Sequence, residues 1–156
     1  MIKDSGTRRE FETGAVRDIQ EGKGRCDLLP LDVVMSLYGS LPIGMIAQFM
    51  NTGVEAILSS ALVYFSIERG WNVEDLFLEV SKHFEEGAKK YGEYNWQKGI
   101  PTHCYIDSAL RHYLKWRRGD IDEPHDRAFA WNIMCCMWTC MNKPELNDYL
   151  KEENNA

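Results

Sequence analysis

The sequence predicts an all-α fold, a compact multi-helix bundle carrying an irregular basic N-terminal arm. Three observations predict it. Apolar residues recur at helical spacing in several long segments, the breaks between segments fall at glycine or proline, and neither a β-hairpin signature nor an internal repeat is present. With 156 residues, 44% of them hydrophobic, the chain can bury one core. Residues 27–156 are therefore expected to form a single domain and residues 1–26 the arm.

The arm holds Gly6, Gly14, Gly22 and Gly24 without a sustained apolar period. Its cations include Arg8, Arg9, Arg17, Lys23 and Arg25, and the G-K-G-R tetrad at 22–25 sets a flexible backbone beside two of them, a combination able to wrap a phosphate. It is no Walker loop, because GxxxxGK[ST] is absent. The competing reading is a solvated tail.

From Asp27, residues Leu28, Leu29, Leu31, Val34, Met35 and Tyr38 space as one helical face that ends near Gly39 and Pro42. Ile43 to Ile67 is apolar enough for one or two helices with a break at Gly53, although Ala61 to Ile67 also passes for a strand. Asn72 is placed to cap the next helix, with Asp75 three residues on and Val73, Leu76, Phe77, Val80, Phe84 and Ala88 as its apolar stripe. Residues 92–101 read as a loop. A helix then runs from Thr102 or His103 to about Arg118, another from Pro124 to about Met141, and a short one from Pro144 to Lys151.

Composition excludes several classes. A net charge of −6 makes the chain a poor binder of polymeric nucleic acid. No run reaches the ~18 apolar residues of a membrane span, and the N-terminus lacks the apolar core of a signal peptide, so a cytoplasmic protein is expected. Cysteines 26, 104, 135, 136 and 140 form no disulfide framework and read as reduced core thiols. Cys136 and Cys140 lie one turn apart, but a structural zinc site needs four ligands and no second pair exists.

Chemistry concentrates between Glu85 and Asn132. Glu79, His83, Glu86 and Lys90 lie on one ridge of the 73–91 helix, which is either a solvated face or a source of a Glu85 or Glu86 carboxylate for a hard cation. His112 falls in a stripe with Tyr105, Ala109 and Trp116, as a core histidine or a ligand. Asp107 and Arg111 have ion-pair spacing. Asp120, Asp122, Glu123 and His125 crowd a helix start, where Asp122 and His125 are close enough to share a cation or a hydrogen bond. Asn132, among apolar residues, needs a buried partner.

At these residues the chain resembles the phage dATP/dGTP diphosphohydrolase family. The blocks are R-x-F-x-TGAVRD-x3-GKGR-x-DLLP at 9–30, GAKKYG-x2-NW-x-KG at 87–99, DSALRH at 107–112, W-x2-GD-x-D at 116–122 and H-x5-WN at 125–132. That family is similar in architecture to the all-α MazG-type pyrophosphohydrolases. The resemblance implies cleavage between the α and β phosphates of a purine (deoxy)nucleoside triphosphate, giving monophosphate and pyrophosphate with Mg2+ or Mn2+. It also implies a phage-encoded protein acting in the host cytoplasm. Two departures stand out: residues 42–71 are longer and more apolar than the family's usual spacing, and Ala128 stands where the family's last helix carries a second histidine.

On that reading Glu86, Asp107 and Asp122, with Glu85, hold the metal that neutralises the triphosphate and activates water. His112 and His125 orient that shell or carry protons. Arg17, Lys23, Arg25, Lys89, Lys90 and Arg111 grip phosphate oxygens, while Tyr91, Asn95 and Trp96 receive the base. A rival expectation is a non-catalytic sponge that sequesters a host immune signalling nucleotide. The apolar surface of Ile43 to Ile67, together with the resemblance, implies a homo-oligomer whose site forms between chains.

Overall fold

The computed structural model describes residues 3–151, so residues 1–2 of the expected arm and 152–156 of the expected domain lie outside the described residues. Among the described residues there are six α-helices and one two-stranded sheet. The bundle is all-α. Its helices are α1 (Leu31–Leu37), α2 (Leu41–Thr52), α3 (Ala56–Arg69), α4 (Val73–Tyr91), α5 (Thr102–Arg118) and α6 (His125–Asn142).

Local chemistry sets most of these boundaries. Pro30 holds α1 back to Leu31, leaving Cys26–Leu28 as a single 3-10 turn with Leu28 exposed. Gly53 closes α2 in the left-handed conformation at φ 71°, and a side chain there would collide with the backbone of Tyr149 and Leu150. Asn72 and Asp75 form a reciprocal capping box, the Asn72 side chain accepting from Asp75 N at 2.8 Å and Asp75 accepting from Asn72 N at 3.1 Å. Pro124 immediately precedes α6.

The core forms where α5 lies on α6, with α3 and α4 also packed against α6 and α2 against α3. Phe65 of α3 is its hub, 4.5 Å from Phe129, 5.0 Å from Trp116 and 5.9 Å from Trp71 between ring centroids. Such offset and edge geometries add to the area the rings bury. The segment expected to lend its apolar surplus to a second subunit mostly fills this core: Ile46, Phe49, Leu58, Leu62 and Phe65 are buried, whereas Val63 and Ile67 remain exposed. Ala61 to Ile67 belongs to α3, not to a strand. After α6 only a 3-10 turn, Pro144–Leu146, replaces the expected helix. Among the described residues no helix is long and apolar enough to cross a membrane.

The arm departs most from expectation. Instead of irregular chain it forms an antiparallel hairpin, β1 (Arg8–Glu10) against β2 (Val16–Asp18), with Arg9 opposite Arg17. Its signature was hidden because both strands are charged. The outer edge of β2 is completed by a side chain: Val16 N donates to Asn95 Oδ1 and Asn95 Nδ2 donates to Val16 O, each at 2.8 Å. Ala15 at the turn is fully buried, and Thr13 Oγ1 donates to Gly99 O. The hairpin is thereby fixed to the loop between α4 and α5.

Candidate functional site

The docked hairpin roofs a cavity of about 450 Å3 walled by α4, α5 and α6. Its lining combines the cations Arg9, Arg17, Lys23, Arg111 and Lys115 with the rings of Tyr91, Trp96 and Trp131. Asp18, Asp107 and Glu123 are the nearest acidic counterweights along with Asp4. Pockets of this size and mixed lining suit a small organic ligand.

Arg17 is the keystone between roof and wall. Its Nη2 donates to Ser108 Oγ at 3.1 Å and to Asn132 Oδ1 at 3.0 Å, which joins β2 to α5 and α6. The guanidinium also lies over Tyr105 and Trp131, at 5.2 and 5.8 Å from their centroids. Asn132 thus finds the partner its apolar setting demanded, and its Nδ2 donates to Ala128 O at 2.8 Å.

Asp107 and Arg111 clamp the other end of the arm. Asp107 is buried, accepts from Cys26 N at 2.7 Å and pairs with Arg111 at 3.0 Å, while Arg111 Nη1 donates to Gly24 O at 3.1 Å. Buried polar groups satisfied in this way hold a chain segment in register.

The oxygen quartet expected to hold metal does not assemble. Glu85 is exposed, Glu86 pairs with Arg127 at 2.9 Å, and Asp107 is committed to Arg111 and the arm. Among the described residues, metal-compatible groups instead form around His125: His112, Glu123 and His125 in one, Asp120, Asp122 and His125 in the other. Nδ1 of His112 and Nδ1 of His125 are 2.9 Å apart, and His125 Nε2 meets Asp122 Oδ1 at 2.7 Å. Lys3 caps this rim, with Nζ 2.7 Å from Asp122 Oδ2 and its backbone N donating to Glu123 Oε1 at 2.8 Å. Lys3 and then His125 hold the Asp122 carboxyl far below the usual range. Burial, then His125 alongside, holds His112 well below the ordinary imidazole range.

The remaining expected residues divide. Lys23 lines the cavity and pairs with Asp18 at 3.0 Å, and Tyr91 and Trp96 form part of the wall. Asn95 lines the cavity too, but its amide is spent on Val16. Arg25 turns to Asp27 at 2.7 Å and Lys89 is exposed, so neither reaches the cavity lining; Lys90 donates to Lys3 O at 2.8 Å.

Among the lining residues that sequence reasoning did not assign to the site are Ser108, Lys115, Trp131 and His83. Ser108 and Trp131 sit inside blocks that carry the resemblance. His83 lies on the ridge for which a solvated face was one of two expectations, yet it is buried against Trp131 at 5.4 Å between centroids. Burial, reinforced by Arg127, Arg17 and Lys90, drives its pKa down to about 3, so the ring is neutral at physiological pH.

Residues 69–149 match the sequence model of a family described as dATP/dGTP diphosphohydrolase, N-terminal. The match covers about half of the 156 residues. The chain belongs to this dATP/dGTP diphosphohydrolase N-terminal family. No curated protein and no solved structure matches it. The family segment contains α4, α5 and α6 whole, and therefore both histidines of the rim and the three cavity walls; the roof supplied by β1 and β2 lies outside it.

Proposed function

We propose that the protein hydrolyses purine (deoxy)nucleoside triphosphates to monophosphate and pyrophosphate with the help of a divalent cation. The observation that carries this reading is the juxtaposition of a cation-lined, ring-walled cavity with the histidine and carboxylate rim, the rim and the three helical walls lying inside the segment that matches the family. Lys23, Arg111 and Lys115 supply charge for phosphate oxygens, and the rings of Trp96 and Tyr91 in the cavity wall suit a purine. His112 lines the cavity beside this rim, and burial keeps its ring in the neutral form that can offer a lone pair to a cation. A cation at the rim supplies charge neutralisation and a more acidic bound water. The family resemblance implies magnesium or manganese in that role.

A second reading has an observation of its own. Ala128 lines the cavity where the resemblance leads one to expect a histidine, and Asp107 is consumed structurally. A sponge that sequesters a host immune signalling nucleotide needs neither group. One experiment separates the two. The protein is incubated with a panel of deoxynucleoside and cyclic nucleotides plus Mg2+ or Mn2+, and products are resolved by chromatography before and after denaturation. Monophosphate and pyrophosphate from dATP or dGTP support the hydrolase, intact nucleotide released on denaturation supports the sponge, and neither outcome refutes both.

A further inference from the structure

The rim beside the cavity has the layout of a nitrogen-bearing metal site, not of the all-oxygen site that magnesium prefers. Asp122 is a carboxylate and accepts, so Nε2 of His125 carries the hydrogen in their 2.7 Å contact. In the neutral ring Nδ1 of His125 then presents a lone pair, and it points at Nδ1 of His112, 2.9 Å away. Two ligand nitrogens each about 2.1 Å from one ion and at right angles to each other stand about 3.0 Å apart. Glu123 brings a carboxylate oxygen within 4.8 Å of both. His125 is buried, so its ring is fixed, and Asp122 holds its far nitrogen as outer carboxylates do for metal-bound imidazoles.

We propose that His112, His125 and Glu123 form a two-imidazole, one-carboxylate site for a first-row transition ion such as Mn2+, Co2+ or Zn2+, with Asp122 as the positioning carboxylate of His125. Imidazole donors favour these ions over magnesium, whose preference is for oxygen. His112 releases its hydrogen from Nδ1 to Nε2 by tautomeric exchange with solvent, which frees the lone pair the ion takes. His112 and Glu123 also line the cavity, which sets the ion at its wall. The rim already draws one cation: the Lys3 ammonium sits on Asp122, with Asp120 and Glu123 adding to the attraction. An arriving divalent ion competes with it.

The site is tested with metal alone, without nucleotide, so a negative result here leaves the hydrolase reading to its own assay. Calorimetry and equilibrium dialysis on the full chain should give one Mn2+, Co2+ or Zn2+ per chain, with Mg2+ at least tenfold weaker, and bound Co2+ should show the visible absorption of nitrogen ligation. Glu123→Gln and His112→Ala should each lower affinity at least tenfold. Asp122→Asn should lower it roughly 10- to 100-fold while circular dichroism is unchanged. Lys3→Ala should raise affinity, which no unfolding effect can imitate. Magnesium binding as tight as manganese, or wild-type Co2+ spectra in the His112→Ala and Glu123→Gln variants, overturns the assignment.

Discussion

Replacing His83 with phenylalanine should flatten the acid side of the stability curve. The ring is 7% exposed, and its Nδ1 has no hydrogen-bond partner among the described residues, so the native state keeps it neutral down to about pH 3. The unfolded chain takes up the proton at the ordinary value near 6.5. A histidine with a lowered folded pKa contributes stability that is complete above 6.5 and is lost as pH falls from 6.5 toward 3. At pH 4.5, two units below the unfolded value and at ~1.4 kcal/mol per unit, the loss is about 2.7 kcal/mol. Urea unfolding of wild type and His83→Phe at pH 7.5 and 4.5 measures it. Any packing difference introduced by phenylalanine shifts both pH values alike and cancels. Wild type should lose about 2.7 kcal/mol more than the variant between the two pH values, and parallel losses would refute the buried neutral ring.

Asp107→Ala should destabilise the fold by about 3–5 kcal/mol, because it strands Arg111 as a buried charge and frees the Cys26 amide; adding Arg111→Met should recover part of that loss in the same urea assay. Lys23→Ala should weaken triphosphate binding by about 1 kcal/mol at low salt and by less at 0.5 M salt, whereas Arg25→Ala, paired with Asp27 away from the cavity, should leave a titration curve unchanged. Light scattering at micromolar concentration should return the mass of more than one chain, consistent with the exposed Val63 and Ile67 on α3. A one-chain mass with binding retained would refute assembly.

The helices were legible because their signals are local. Asn72 with Asp75, the stop at Gly53 and the proline ahead of α6 act within a turn of where they stand, and a sequence displays that directly. The pairing of Asp122 with His125 and the buried need of Asn132 were legible for the same reason. What distance hides was not legible. The charged strands R-R-E and V-R-D have no apolar alternation, and β2 completes its edge with an asparagine 79 residues away. Glu86 faces Arg127 across two helices, and that pairing removed it from the expected ligand set. His83 was misplaced because periodicity gives a residue's angle on a helix but not what the neighbouring helix lays over it.

The roof also has a kinetic meaning. Its ties to the walls span 79 residues from Val16 to Asn95 and 115 from Arg17 to Asn132, so they reward the chain only after a long loop has closed. The helices can collapse on their nearer contacts first, and the hairpin then settles onto a bundle already formed. By the same reasoning it is the part that opens most readily without global unfolding, held largely by polar bonds. Amide exchange at Val16 and Arg17 should therefore run ahead of exchange in α5 and α6, and a bound nucleotide should slow it.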